Sequence, residues 1–385
     1  MNVLVAPLGA MTALQGLVAM GIFAVPVLAP GLPGFSPHWL GPYNAAVFGL
    51  GAVASLYGGL LCGRIGPVRV AQICLLLVTI AMLCVATGSP LGLIAAALLL
   101  GCAFGPETPA SSSVLALVAK PQQRTLVFSL RQTGNQIGAM LGSMLLPLAV
   151  LVDWRLGCLG IALLAAVAAG LFQPLHRQLD EAARRHATRL DMRGALALLK
   201  SVPGLGLLAG ASLAFSAMQL TLNAYLVSYG VGVLGFTLVE AGLWLALAQG
   251  GGLAGRLGWG LVAGRFLPTA RLIALLGLAM AGCALLLAAA GPQLGRVALH
   301  VLAFLFGVSA SGWNGIFLAE VARLAPEGQV GAATGAALLA SYSGLLLGPL
   351  CFAGLGPVFG LGSGYAALAL LCIAASIPLL IGRKT

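Results

Sequence analysis

The chain contains no Lys, Arg, Asp or Glu before Arg64. Over all 385 residues only 7% are charged and 60% are hydrophobic, and the mean hydropathy is +1.07. A soluble domain carries about 25% charged residues, so this chain has too few polar side chains to cover a water-facing surface. The composition excludes a soluble enzyme, a disordered protein and a disulfide-stabilised scaffold. It predicts an all-α integral membrane protein.

Long apolar runs define the predicted spans, since a helix needs about 20 apolar residues to cross a bilayer. Twelve such runs predict twelve transmembrane helices. The predicted spans are residues 5–29, 39–61, 69–88, 90–118, 126–150, 157–176, 203–230, 237–259, 270–290, 295–318, 328–352 and 357–381. The fourth contains Pro106 and Pro109, which predicts a kink or a tilt.

The basic residues predict the orientation. An even number of spans places both termini on one side, and Arg155 and Arg296 are the basic residues of the opposite side. The other Lys and Arg between spans lie on the side of the termini, which is the cytoplasmic side by the positive-inside rule. The net charge of +11 is therefore interpreted as a topology signal and not as a nucleic-acid-binding surface.

One long polar stretch, residues 177–200, divides the chain. It predicts a six-helix bundle over 1–176, a cytoplasmic connector over 177–201 and a second six-helix bundle over 202–385. The connector is expected to contain an amphipathic helix whose charges face solvent and lipid headgroups.

A repeat at a constant offset of 201 suggests that the two bundles arose by duplication and are pseudo-symmetric. Its members are Gly59, Gly63 and Arg64, which recur as Gly260, Gly264 and Arg265, and Gly134, which recurs as Gly335. Two duplicated six-helix halves are typical of a transporter whose substrate binds between them near the membrane midplane.

No catalytic or cofactor motif is present. The sequence lacks HExxH, GxSxG and nucleotide-binding glycine loops. Its eight cysteines are scattered without a CxxC pair, which argues against a metal site. We therefore expect no enzyme activity, no cofactor and no bound metal. Without an ATP-binding loop, uphill transport would have to use an ion gradient.

Arg131 and Glu107 are the ionisable residues inside predicted spans that we single out, since a charge there costs about 2.5–3.5 kcal/mol on insertion scales. Arg131 lies about five residues inside the fifth span and is interpreted as the cation that binds an anionic substrate. The alternative is an arginine that extends to the headgroups. Glu107 lies mid-span between two prolines and could approach Arg131 from the antiparallel fourth span. It is the candidate proton carrier, and the alternative is a permanent structural ion pair.

Neutral polar residues follow helical spacing on several spans. Ser216, Gln219 and Asn223 share one face of span 7. The further candidates for substrate contact are Gln15, Asn135, Trp313, Asn314 and Tyr342, with Ser341 beside the last. The alternative for each is a hydrogen bond between helices. The glycines Gly134, Gly138 and Gly142 form a stripe on span 5 and predict close packing against a neighbouring helix.

The segment Gly59-Leu-Leu-Cys-Gly63-Arg64-Ile-Gly66-Pro-Val-Arg69 resembles the G-x-x-x-D-R-x-G-R loop between spans 2 and 3 of the major facilitator superfamily. Its acid is replaced by Gly63, and Gly264 occupies the same position of the second copy. The charge relay that latches the cytoplasmic side of many members therefore lacks its acid here.

Two other stretches resemble a poorly characterised bacterial branch of that superfamily. They are Phe128-Ser-Leu-Arg131-Gln-Thr-Gly-Asn-Gln-Ile-Gly138, and Gly312-Trp313-Asn314-Gly315 continuing to Glu320-Val-Ala-Arg323. The resemblance covers essentially the whole chain. It implies twelve transmembrane helices in two six-helix bundles, a bacterial inner membrane location, a monomer, and a cavity lined by spans 1, 4, 5, 7, 8, 10 and 11.

The sequence thus predicts a proton-coupled transporter of a small organic anion or polar metabolite. The runner-up is an exporter of amphipathic drugs or metabolites, although the drug-antiporter pattern survives only as Gly344-xxx-Gly348-Pro349. A membrane sensor that binds a ligand without moving it is a third possibility.

Overall fold

The computed structural model describes residues 2–32, 35–119, 124–184, 192–326 and 330–381. Apart from one isolated bridge between Ala263 and Leu267, their regular structure is helical. The helices up to the long polar stretch are α1 Asn2–Leu28, α2 Leu40–Ile65, α3 Pro67–Ala86, α4 Pro90–Val118, α5 Arg124–Val150, α6 Trp154–Leu171 and α7 Gln173–Arg184. The later ones are α8 Met192–Ser201, α9 Leu205–Gly232, α10 Leu238–Val262, α11 Thr269–Ala290, α12 Arg296–Ala310, α13 Asn314–Leu324, α14 Val330–Phe359 and α15 Leu361–Ile381.

The long helices are apolar on both their packed and their outward faces. On α3, Ile73, Leu76, Ile80 and Leu83 lie on one stripe and are each 41–49% exposed, while Val78 is fully buried. A soluble protein does not expose apolar stripes of this length. A helix that is hydrophobic all round suits a bilayer, where lipid tails cover the outward side chains.

Nine helical segments of the described residues are long and apolar enough to cross a membrane. The other three predicted spans coincide with α2, α5 and α10, which are 25–27 residues long but richer in glycine and polar side chains. The chain is therefore a multi-pass membrane protein. The total of twelve spans stays a prediction.

Span 10 is not the single helix that its apolar run predicts. The helix α12 ends at Ala310, and α13 begins at Asn314 after a non-helical turn. Periodicity could not reveal this interruption, because apolar residues continue on both sides of it.

The chain divides into two compact units, one comprising Met1–Ser36 and Tyr43–Thr188, the other Pro37–Pro42 and Arg189–Thr385. The connector contributes to both, since α7 packs on α3 and α4 of the first unit and α8 on α9 and α14 of the second. The three domains predicted from the sequence stay a prediction.

A glycine seam joins α1 and α5 in the first unit. A methyl group at Gly134 would overlap the carbonyl oxygen of Thr12, and one at Gly138 would overlap that of Gly16. Only glycine permits so close an approach of two backbones. The predicted packing role is thus confirmed for these two glycines, whereas Gly142 has only ordinary contacts with Met20.

The second unit contains the equivalent seam between α9 and α14. Gly344 faces the carbonyl of Leu213, and Gly348 faces that of Ala217. These carbonyls lie 201 positions after their counterparts on α1, but the α14 glycines lie 210 positions after those on α5. The predicted pairing of Gly134 with Gly335 is therefore wrong. A Cβ at Gly335 would have nothing within 4 Å.

The repeated Gly/Arg segment also differs between its copies. Gly59, Gly63 and Arg64 belong to the last turns of α2, which continues to Ile65, and so do not form the predicted loop. In the second unit Gly260 lies in the last turn of α10. Gly264 (φ +75°) and Arg265 lie in the turn that follows Val262. The two copies share a sequence but not a backbone conformation.

Candidate functional site

A buried ion pair joins α4 to α5 in the first unit. The Nη1 atom of Arg131 lies 3.5 Å from Oε1 of Glu107, and both side chains are 2% exposed. The same Nη1 donates a short hydrogen bond to the Ser111 hydroxyl. The predicted approach of the two charges is confirmed. The alternative of an arginine that extends to the headgroups does not describe this structure.

The Glu107 carboxylate is held from within its own helix. Thr108 donates to Oε2 at 3.1 Å, and the Ser111 hydroxyl, which donates to the main-chain carbonyl of Glu107 at 2.7 Å, lies 3.4 Å from Oε1. Because these partners follow Glu107 by one and four residues, the helical backbone itself positions them. The carboxylate thus has partners on its own helix in addition to Arg131.

Arg131 keeps an unused hydrogen-bond donor. Its Nε is buried and has no acceptor among the described residues. An unmade hydrogen bond of a buried donor costs about 1–3 kcal/mol. The guanidinium thus retains capacity for an acceptor that the described chain does not supply.

Amide side chains extend the polar region of this unit. Gln15 on α1 donates from Nε2 to Oε1 of Gln132 on α5 at 3.1 Å. The Nε2 of Gln136 and the Oε1 of Gln15 are buried without a described partner. Asn135 lies half-buried one turn beyond Arg131. Sequence reasoning missed Gln132 and Gln136, although their spacing of four residues puts them on a common stripe.

The second unit contains a neutral counterpart built from amides. Asn314 donates to Oε1 of Gln219 at 3.1 Å, and Gln249 donates to Oδ1 of Asn223 at 2.9 Å. Gln219 and Asn223 are one turn apart on α9, so the two amide pairs lie along a common helix face. The sequence predicted three of these residues and missed Gln249. Gln249 is 1% exposed, and its Oε1 has no described partner.

The turn between α12 and α13 is stabilised by side chains. Arg256 donates from Nε to the Ser311 carbonyl at 3.0 Å, and Trp259 donates to the Val308 carbonyl at 3.0 Å. Trp313 donates to the Ala310 carbonyl at 3.0 Å. A helix end leaves carbonyl oxygens without partners, and these donors satisfy them. The break is a built feature that presents Asn314 to Gln219.

Two predicted contact residues occupy different environments. Trp313 is fully buried, with its ring edge-to-face to Phe215 and Phe317 at centroid distances of 5.6 and 5.3 Å. Its packing role is evident, and its substrate role stays a prediction. Tyr342 lies half-buried on α14 beside buried Ser341.

Two ion pairs are described in the second unit, and neither includes one of the amides. Glu240 at the start of α10 pairs with Arg296 at the start of α12. Glu320 on α13 is 4% exposed and binds Arg323 through two hydrogen bonds of 2.9 and 2.7 Å. No group of three or more His, Cys, Asp or Glu in the described part of the chain could hold a metal ion.

Comparison with known proteins identifies the family. The Major Facilitator Superfamily model matches residues 8–349. A solved structure of the nucleoside transporter NupG superimposes with a TM-score of 0.79 at 14% identity, covering 98% of this chain and 99% of the other. A peptide transporter POT gives 0.77 at 15% identity with coverage of 97% and 93%.

A POT family transporter in complex with 5-aminolevulinic acid gives 0.74 at 14% identity with coverage of 97% and 95%. No curated protein matches in sequence. At these identities the structures establish the fold, and the family match over most of the chain establishes the family. This chain is a membrane transporter, not an enzyme, and belongs to the Major Facilitator Superfamily.

Proposed function

We propose that the chain is a secondary active transporter of a small organic anion or a similar polar metabolite, in which Arg131 binds the negative group. The observation that carries the proposal is the buried guanidinium with an unused Nε. An arginine keeps its charge when it is desolvated, and its planar donors fit a carboxylate or phosphate. A purely structural arginine would be expected to use all of its buried donors.

The ion pair supplies a means of coupling. An anion that binds Arg131 competes with Glu107 for the guanidinium. A carboxylate that loses its cation in a buried place favours the protonated form. Substrate binding and proton uptake at Glu107 would then support each other, and release would restore the pair.

The amides of the second unit would contribute neutral hydrogen bonds. Gln219, Asn223 and Asn314 offer donors and acceptors without charge. Together with Gln15 and Asn135 they favour a substrate that is polar beyond its anionic group. Trp313 and Tyr342 complete the proposed set. The distribution of the basic residues favours cytoplasmic termini. The resemblance to the bacterial branch leads us to propose a proton-coupled monomer of a bacterial inner membrane.

Matched ligand pairs test the anion claim. The thermal unfolding of purified protein should shift upward with succinate or lactate, and not with the neutral succinamide or lactamide. A ligand that binds only the folded form adds about 2.7 kcal/mol at 100 times its dissociation constant. Arg131→Ala should abolish the shift, whereas Arg155→Ala, at a half-exposed arginine, should preserve it. An equal response to acid and amide would reject the anion site.

The coupling claim needs a separate experiment. In proteoliposomes, Glu107→Gln should still exchange the stabilising carboxylate across the membrane but should no longer accumulate it under a pH gradient. Accumulation at the rate of the unaltered protein would reject Glu107. If amphipathic cations stabilise the protein and carboxylates do not, the exporter alternative replaces the present proposal.

A further inference from the structure

The connection between α2 and α3 depends on a residue far along the chain. Gly66 alone separates the two helices, with φ +98° and ψ 147°, a conformation that is essentially restricted to glycine. The helix α3 then begins with Pro67, so its first free backbone donors are Val68 and Arg69. The side chain of an N-cap residue normally accepts hydrogen bonds from such donors. Gly66 has no side chain that could do so.

Asp180 on α7 takes that place. Its carboxylate accepts from the backbone N–H of Val68 at 2.7 Å and of Arg69 at 3.1 Å. His176, one turn earlier on α7, contacts the carboxylate through Nδ1 at 2.6 Å. A methyl group at Gly66 would overlap this carboxylate. Asp180 is 2% exposed, so the expectation that the connector charges face solvent is wrong at this position.

A second set of hydrogen bonds fastens the same region. Gln72 on α3 donates from Nε2 to the Ala169 carbonyl at 2.9 Å and to Oε1 of Gln173 at 3.0 Å. The Arg69 side chain donates to Oε1 of Gln72 at 3.2 Å. The first two turns of α3 thus receive polar contacts from the end of α6 and from α7.

We propose that Asp180 is the positioning residue of the α2–α3 connection, supplying from α7 the cap that Gly66 cannot provide. Through this contact α7 is held to the N-terminal end of α3. A buried carboxylate is favoured here because the helix N-terminus carries partial positive charge and two unpaired donors. The proposal does not depend on the identity of the substrate.

Amide hydrogen exchange of the full-length protein provides the test. Asp180→Asn keeps the side-chain volume but removes the charge and one acceptor. It should accelerate exchange by about tenfold in the first turn of α3 and throughout α7, because one of the two buried N–H groups loses its acceptor. Asp153→Asn is the matched control, because Asp153 caps α6 from an exposed position and uses one oxygen, which asparagine retains. It should leave exchange in α3 and α7 unchanged.

A second variant separates positioning from general stability. Gln72→Leu removes the bonds to Ala169 and Gln173 but leaves the Asp180 carboxylate on Val68 and Arg69. It should leave exchange in the first turn of α3 close to that of the unaltered protein. Equal acceleration of that turn in Gln72→Leu, unchanged α7 exchange in Asp180→Asn, or a uniform increase over all helices would each overturn the proposal.

Discussion

The two units share a helical framework but differ in how they bury polar groups. The first unit buries charge, with Arg131 and Glu107 joined across α4 and α5. The second places neutral amides at its candidate site, with Gln249 bonded to Asn223. Both units keep the glycine seam, at equivalent carbonyls of α1 and α9. Packing has therefore been retained after the inferred duplication, while the chemistry of the site has diverged.

The connections after α2 and α10 show the same divergence. The first is a single glycine closed by Asp180. The second is a longer turn closed by its own backbone, with the N–H of Gly264 bonded to the Leu267 carbonyl at 2.9 Å. Phe266 in that turn is 70% exposed, with Arg265 over its ring. A local turn needs no partner, whereas the tight connection has become dependent on the connector helix.

The largest effect should come from separating the buried charges. Arg131→Met leaves the Glu107 carboxylate buried without its cation, and breaking a buried pair costs about 3–5 kcal/mol. Adding Glu107→Gln removes the unpaired charge and should recover most of the loss. Thermal unfolding in detergent measures both variants. If the double variant is no more stable than the single one, the pair does not dominate the stability of the first unit.

The next largest effect should occur at the seams, in both units alike. Gly138→Ala and Gly348→Ala each force a methyl group against a backbone carbonyl that cannot rotate away. Overpacking of this kind costs about 1–3 kcal/mol. Gly335→Ala is the control, because the added methyl group meets open space. A seam that tolerates alanine in one unit only would show that packing, like the site, has diverged.

The break between α12 and α13 has no counterpart in α4, which is continuous over Pro90–Val118. The side chains that donate to the carbonyls at this break can be tested by substitution. Arg256→Lys keeps the charge but removes the Nε that donates to Ser311. We expect a loss of about 1.5 kcal/mol, the lower end of the range for a hydrogen bond with a charged partner, because lysine is still a donor. The loss should be accompanied by faster exchange at residues 311–314. Exchange that changes only at the ends of α10 would indicate that the arginine acts elsewhere.

Sequence alone predicted the membrane class, the bounds of most helices and the meeting of Glu107 with Arg131, because apolar length and antiparallel neighbours determine all three. It failed where the determining contact is distant. The partner of Gly66 lies more than a hundred residues away in Asp180, and nothing in the polar connector distinguishes that acid from a solvated one. Gln249 was missed because α10 shows it as a single polar residue among glycines. The counterpart of Gly134 in the seam was obscured because the second unit has nine more residues between the two helices that form it.

The smallest effect should come from Gln249. Replacement by Leu removes its bond to Asn223 but also removes a buried Oε1 that has no partner. Losing the bond leaves Oδ1 of Asn223 without its donor, whereas removing the unpaired Oε1 relieves a similar cost. The free energy of unfolding should therefore change by less than about 1 kcal/mol.

Thermal unfolding of Gln249→Leu, measured next to that of Arg131→Met, compares the loss of a neutral pair with the loss of a charged pair in the same protein. If the amide variant loses as much stability as the arginine variant, then Gln249 belongs to a tightly connected polar network and not to an amide pair with a free acceptor. A small loss, combined with an altered response to carboxylates, would instead place the specificity of the second unit in hydrogen bonds that contribute little to holding it folded.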